Sequence, residues 1–164
     1  MMTPAMLVSA VVREVEAATV NYRMRAEGQG DKKVSVYAQH IPDEDFRDDT
    51  YYPLVIVSWQ KTEDMTEPEK VGSEATIGLT FGVYGEDKEA WRDLLSIMER
   101  VRQRLLVFRK LENRFRLVLP TKFETIEIQP YPYYFGYATL VYTVAQPNEK
   151  MAAGLDRIMQ EDNT

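Results

Sequence analysis

The densest group of side chains that could do chemistry lies in residues 43–49, which we call the acidic loop. Its five carboxylates are Asp43, Glu44, Asp45, Asp48 and Asp49. Calcium binds several oxygen ligands at once, so this composition is compatible with a calcium site. The spacing differs from an EF-hand loop, because Asp48 stands where glycine is needed and Leu54 where glutamate is needed. The pattern therefore favours a solvated or partner-facing loop over a metal site.

Residues that would support catalysis are few. The one histidine, His40, ends a predicted strand close to Asp43, where it could act as a general base. The sequence has no Gly-x-Ser-x-Gly elbow to supply a nucleophile. Gly28 and Gly30 follow a predicted helix, whereas phosphate-binding loops lead from a strand into a helix. Since the chain also lacks cysteine, we expect a protein that is not an enzyme and binds no cofactor or metal.

Basic residues gather between positions 100 and 116, and we call this group the arginine cluster. Its members are Arg100, Arg102, Arg104, Arg109, Lys110, Arg114 and Arg116. On a helical wheel, Arg102 and Arg109 fall on or beside the apolar stripe, where an arginine needs a carboxylate or an interface. Pairing with acidic loops of another subunit, including Glu63 and Asp64 in a second charged loop, is favoured. Ordinary solvation and a nucleic-acid surface are the alternatives.

A tyrosine–proline corner spans residues 130–136, with the sequence Pro-Tyr-Pro-Tyr-Tyr-Phe-Gly. Aromatic side chains beside prolines are rigid and present large apolar area, which suits recognition of a partner. Tyr131, Tyr133 and Tyr134 are the candidate contacts. An equally weighted interpretation is a core corner, in which these rings close one end of a sheet.

Two amphipathic helices are predicted to position these groups. The first begins with Thr3 as N-cap and Pro4 in the first turn, and it runs for about 22 residues to the glycines at 28 and 30. The second opens at Glu86 and carries an apolar stripe. That stripe comprises Trp91, Leu94, Leu95, Met98, Val101, Leu105 and Phe108.

Six strands complete the predicted fold, at Val34–Gln39, Pro53–Gln60, Glu74–Tyr84, Arg114–Leu119, Lys122–Gln129 and Phe135–Ala145. A turn at residues 119–121 separates the fourth from the fifth. The third alternates strictly between apolar and small polar residues, while the apolar run of the second indicates cover on both faces. We expect an α+β fold, a mostly antiparallel sheet with both helices on one face.

The end of the chain is expected to form a separate extension. Residues 1–146 would make the α+β domain, and residues 147–164 would add a short docking helix. Met151, Leu155 and Ile158 recur there at helical spacing. A helix so short is marginal alone, so we expect it to dock on another surface.

The formal net charge of −6 bears on possible partners. An acidic chain is repelled by phosphate backbones, so overall attraction to nucleic acid is not expected. No apolar run approaches the roughly 20 residues that span a bilayer, and the start of the chain does not resemble a secretory signal. We therefore expect neither membrane contact nor secretion.

Five segments follow one another along the chain: Pro53–Val57, the strand ending Gly82-Val83-Tyr84-Gly85, the helix Glu89–Arg102, the segment Arg114–Leu117 and the corner Gln129–Gly136. In this order they resemble the tail terminator proteins of long-tailed bacteriophages and prophages. The resemblance covers residues 4–146 and depends on the order of these segments and on the Pro-Tyr-Pro corner.

This resemblance implies a structural protein of the virion, assembled in the host cytoplasm and located at the head-proximal end of the tail. Such proteins form a ring of six copies that caps the tail tube, ends its polymerisation and docks the neck connector. The implied partners are further copies of the chain, the tube protein, the connector and, in some tails, a sheath protein. DNA would pass through the ring without specific binding. A neck protein of the same assembly, or a nucleic-acid-binding accessory protein using residues 100–116, is the alternative.

Overall fold

The computed structural model describes residues 3–66 and 72–150. The elements, in chain order, are α1 (Pro4–Thr19), β1 (Ser35–Ala38), β2 (Leu54–Glu63), β3 (Ser73–Tyr84), α2 (Ala90–Val107), β4 (Lys110–Leu111), β5 (Phe115–Thr125) and β6 (Tyr133–Val144). A short 3-10 turn, Asp49–Tyr51, precedes β2. Both helices pack on one face of the sheet, α1 against β1 and β2, and α2 against β3, β5 and β6. The architecture is α+β.

The strands form one sheet in the order β1-β2-β3-β6-β5-β4. β1 runs parallel to β2, with Ser35 opposite Leu54, whereas the other neighbouring pairs are antiparallel. The prediction of a mostly antiparallel sheet is therefore wrong, because the sheet is mixed. The physical reason is the long connection of residues 39–53, which brings the chain back to the end of the sheet where β1 began.

The predicted turn at residues 119–121 is also wrong. β5 runs continuously through it, and its pairing with β6 shifts register between Val118 and Lys122. Such an irregularity accommodates Pro120, which has no N–H to donate to a neighbouring strand. The predicted fourth and fifth strands are thus one strand, and the sixth strand of the sheet is the two-residue β4.

α1 begins as predicted, because the Thr3 hydroxyl accepts a hydrogen bond from the Met6 amide at 3.2 Å. It ends at Thr19, well before the glycines that were expected to end it. The following residues cannot continue the helix, since the amides of Arg25 and Ala26 donate to the Asp93 carboxylate on α2. α2 itself starts at Ala90, later than predicted.

The main core lies between the helices and the sheet. The apolar residues at alternate positions of β3, from Ala75 to Val83, are buried in it as predicted, and Thr76, Gly78 and Gly82 on the opposite face are buried too. The buried face of α2 is rotated relative to the predicted stripe, because Ala90, Asp93 and Ile97 belong to it. Leu94, Met98, Val101 and Leu105 are buried, while Trp91, Leu95 and Phe108 are exposed.

A second, smaller core lies on the opposite face of the sheet. Ile41, Tyr52, Leu54 and Ile56 are buried there. Val55 and Val57 of the same strand are buried in the main core. The first half of β2 is therefore covered on both faces, as its unbroken apolar run predicts.

Two further predictions were a docking helix at the end of the chain and the absence of membrane contact. The predicted docking helix, with Met151, Leu155 and Ile158, lies outside the described residues. Among the residues that are described, neither helix is long and apolar enough to cross a membrane.

Candidate functional site

The acidic loop lies on the face of the sheet opposite the helices. The buried residues Ile41 and Tyr52 flank it and pack on Leu54 and Ile56 of β2. The Tyr52 hydroxyl also donates to the Phe46 carbonyl at 2.9 Å. The loop is therefore fixed at both ends and in the middle, which holds its carboxylates in place at the surface.

Three of the five carboxylates shape the loop itself. Asp45 accepts the amide of Arg47 at 3.0 Å, and Asp43 accepts the Tyr51 hydroxyl. Asp48 caps the 3-10 turn by accepting the hydroxyl and the amide of Thr50 at 2.6 and 3.0 Å. These two bonds hold the pKa of the Asp48 carboxyl below its ordinary 3.8.

The hydrogen bonds of these carboxylates also matter for whether the loop could bind a metal ion. Within residues 3–66 and 72–150, no group of three or more acidic or histidine side chains is arranged to hold a metal ion. The carboxylates at 43, 45 and 48 instead accept hydrogen bonds from the loop's own residues. His40 is exposed beyond the end of β1.

The tyrosine–proline corner packs directly against the acidic loop. The Tyr133 hydroxyl donates to the Arg47 carbonyl at 2.5 Å. Its ring lies 5.0 Å from that of Tyr52 and 5.2 Å from that of Tyr84. Tyr134 points the other way and is buried in the main core. Tyr134 therefore fills the core, as one of the two interpretations expects, and Tyr133 packs against the chain's own loop. Contact of the corner with a partner stays a prediction.

Loop and corner together enclose a surface groove of about 440 Å³. Its lining is formed by Phe46, Arg47, Pro130, Tyr131, Pro132, Tyr133 and Phe135. Phe46 is 47% exposed and Tyr131 is 51% exposed, so two large rings face solvent at its rim. The Tyr131 hydroxyl donates to the Glu86 carbonyl at 2.5 Å, which fixes that ring. Rigid aromatic side chains beside carboxylates can bind a protein segment that carries apolar and basic residues.

The arginine cluster does not act as one unit. Arg102 pairs with Glu99 at 2.8 Å on α2, and Arg104 pairs with Glu14 of α1 at 2.8 Å. The Arg100 guanidinium lies 5.1 Å from the centre of the Tyr22 ring. Arg109 donates to the Leu106 carbonyl at 2.8 Å. Four of the seven members therefore contact α1, α2 or the segment that follows α1.

The remaining predicted contacts lie at the far end of the β2–β3 hairpin. Glu63 pairs with Lys61 at 2.5 Å, and both side chains are exposed. Asp64 accepts the Ser73 hydroxyl at 2.7 Å. This end is separate from the groove of the acidic loop, so the predicted site residues fall into at least two distinct surfaces.

Sequence reasoning missed Asp93, which is fully buried between α2 and the segment after α1. Its carboxylate accepts the Tyr22 hydroxyl at 2.6 Å and the amides of Arg25 and Ala26 at 2.9 and 2.8 Å. Asp93 lies outside the apolar stripe that the sequence predicts for this helix. The sequence signal was weak, because an acidic residue in the first helical turn is common for reasons of the helix dipole alone.

Comparison with known proteins leaves the function open. The chain matches no protein-family model, and no curated protein matches its sequence.

Proposed function

We propose that this protein is the ring-forming subunit that caps a bacteriophage tail tube, ends its growth and docks the neck connector. The resemblance of residues 4–146 to tail terminator proteins motivates the proposal. The structural observation that supports it is the amount of sheet that the described residues leave uncovered. On the sheet face opposite the helices, the part beyond the second core is uncovered, and parts of two strand edges are open. Such surfaces are expected of a subunit that packs against copies of itself and against partners.

Beyond the second core, the sheet face opposite the helices carries small residues at its centre and charged residues toward β5. Across the strands, Ser58 lies opposite Gly78, Gly78 opposite Thr139, and Thr139 opposite Lys122. An antiparallel sheet can expose such a face to water, so its openness alone does not identify a partner. It nevertheless offers a ring subunit a broad surface distinct from the helical layer.

The segments that carry the resemblance occupy structurally important positions. Pro53–Val57 enters the doubly covered part of β2, and residues 82–85 end β3 beside the corner. The corner closes the groove next to the acidic loop. Recognition of the tube protein, the connector or a sheath protein would use this groove, because its exposed aromatic rings form a pre-arranged surface.

Charge is compatible with DNA passing through such a ring. Six copies at −6 each would carry −36. Acidic walls repel the phosphate backbone, so DNA could pass without being held.

The proposal is tested by mixing the purified chain with tail tubes assembled from the candidate tube protein. Light scattering coupled to size exclusion should give a closed oligomer, either free or after tubes are added. Electron microscopy should show a ring at one end of each tube and tubes that stop growing. A chain that stays monomeric, binds no tube end and leaves tube length unchanged would refute the proposal.

A second experiment asks whether the groove binds the partner. Phe46→Ser combined with Tyr131→Ser removes its two exposed rings, and we expect binding to the tube or the connector to weaken at least tenfold while rings still form. Val107→Ser is the control, since Val107 is exposed on α2 outside the groove. If the double variant binds both partners as well as the control does, the groove is not the docking surface. Which partner is lost would separate a terminator from a neck protein.

A further inference from the structure

The sheet has two open strand edges, one on each side. β1 pairs with β2 only from Leu54 to Val57, and the Trp59 amide donates to the Gln39 side chain, so the open part of this edge among the described residues is 60–63. β4 pairs with β5 only at Phe115 and Arg116, and residues 119–125 of β5 are likewise open there in the described part of the chain. Open edges present unpaired N–H and C=O groups that readily pair with another strand.

The two edges carry matching charges. Lys61 and Glu63 lie on the uncovered face of β2, since they pair with Thr76 and Glu74 of β3. Lys122 and Glu124 lie on the same face of β5. In an antiparallel arrangement, Lys61 of one copy would face Glu124 of the next, and Glu63 would face Lys122. A parallel arrangement would place like charges together, which is unfavourable.

Each open edge is also flanked by a groove on the helix-covered face. Beside β2, a groove of about 380 Å³ lies between the start of α1 and Trp59, which is 39% exposed. Beside β5, a groove of about 500 Å³ is lined by the apolar residues Leu95, Met98 and Phe123 and by the polar residues Glu99, Arg102, Glu124 and Thr125. Leu95 is 46% exposed. Joining the two edges would bring these grooves together and bury Trp59 against the neighbour's α2.

We propose that the β2 edge of one copy pairs antiparallel with the β5 edge of the next, with Lys61 opposite Glu124 and Trp59 seated in the groove beside Leu95. The contact joins two different surfaces of one chain, so it repeats around a ring or along a filament. This contact would join neighbouring subunits of the ring proposed above. Its role in a ring rests on the proposed function, whereas the pairing of the two edges does not.

Charged residues at an open edge can also serve to prevent pairing. Two features favour pairing here. First, each strand carries a lysine followed two residues later by a glutamate, so the charges of the two edges are complementary only when the strands are antiparallel. Second, an exposed apolar side chain lies beside each edge. If the charges served only to prevent pairing, exposed apolar side chains such as Trp59 and Leu95 beside the edges would not be expected.

Cysteine pairing tests the contact directly, because the natural chain has no cysteine. Glu63→Cys in one copy and Lys122→Cys in another should form a disulfide when the two variants are mixed under mild oxidation. The control pairs Glu63→Cys with Glu127→Cys, which lies beyond the end of β5. A cross-link no more abundant than in the control would overturn the proposal, including when the protein is monomeric.

Charge reversal gives an independent test at constant net charge. Lys61→Glu with Glu63→Lys should weaken association at least tenfold, and adding Lys122→Glu with Glu124→Lys in the same chain should restore it. Circular dichroism would show that each variant remains folded. If the first pair of substitutions does not weaken association, or if the variant with all four substitutions does not regain it, the proposed edge pairing is wrong.

These outcomes are distinguishable from failure of the proposed function. Rings that cap tubes without the predicted cross-link would refute this contact and leave the function standing. A specific cross-link in a protein that never caps tubes would support the contact and refute the function.

Discussion

The Tyr22 hydroxyl donates a hydrogen bond of 2.6 Å to the buried carboxylate of Asp93, linking two residues that lie far apart in the sequence. The same carboxylate accepts the backbone amides of Arg25 and Ala26. One side chain on α2 therefore fixes the path that the chain takes after α1. Because all three donors would otherwise be left without this acceptor, Asp93 organises the helical layer of the fold.

Asp93→Ala should strongly destabilise the protein. Three donors lose a charged acceptor in a buried site, which we expect to cost about 3–5 kcal/mol of unfolding free energy. Urea denaturation measures the change. Asp87→Ala is the matched control, because Asp87 accepts only more exposed backbone amides nearby and should cost about 1 kcal/mol or less. Equal effects of the two variants would show that the Asp93 network is not a key support.

Stability should fall at alkaline pH as buried tyrosines ionise. Burial and the Asp93 hydrogen bond raise the pKa of Tyr22 from 10.0 to about 12. The unfolded chain therefore releases this proton at lower pH than the folded chain does. The contribution to stability is complete below pH 10 and is lost as pH rises toward about 12.

Denaturation series on either side of pH 10 would check this. Tyr22→Phe should reduce the alkaline loss of stability, since one of the shifted groups is removed. Tyr51 and Tyr84, whose pKa values are also raised to about 12 by hydrogen bonds to Asp43 and Glu86, should account for part of the remainder. A Tyr22→Phe protein with an unchanged pH profile would contradict the assignment.

Local patterns in the sequence predicted the parts of the fold that depend on local burial. The apolar run at Leu54–Val57 correctly indicated a strand that is covered on both faces. The alternation from Ala75 to Val83 correctly identified the residues that enter the main core, but not the burial of Thr76, Gly78 and Gly82 on the other face. The sequence also singled out the acidic loop and the tyrosine–proline corner as candidate contact segments. Their contact through Tyr133 and Arg47 was not, because it depends on how distant strands are arranged.

The errors have a common physical origin. Pro120 resembles a turn in the sequence, but a register shift between two long strands accommodates it. The end of α1 and the burial of Asp93 are set by contacts with residues about 70 positions away. The parallel pairing of β1 with β2 follows from the path of the loop between them. None of these features has a local pattern to reveal it.

Two glycines of β3 should respond differently to the same substitution. A Cβ at Gly82 would lie 2.6 Å from the Tyr52 ring, which is packed in the second core. Gly82→Ala should therefore cost about 1–3 kcal/mol of unfolding free energy. At Gly78, the nearest atom is the end of the exposed Gln60 side chain, which can move aside.

Gly78→Ala thus serves as the control in the same strand and on the same face. Chemical denaturation of both variants would measure the difference, and a Gly78→Ala variant at least as destabilised as Gly82→Ala would contradict the packing argument.

The hydrogen bond from Tyr133 to the Arg47 carbonyl should control the motion of the acidic loop. Tyr133→Phe keeps the stacked ring but removes the donor, so we expect amide hydrogen exchange in residues 43–50 to become severalfold faster. Tyr131→Phe is the control, because the Tyr131 hydroxyl bonds to Glu86 on the other side of the corner. If both variants exchange like the natural protein, the loop is held by the buried Tyr52 and Ile41 and by the loop's other hydrogen bonds, including that from Tyr52 to the Phe46 carbonyl. In that case the groove would keep its shape without the corner's hydrogen bond.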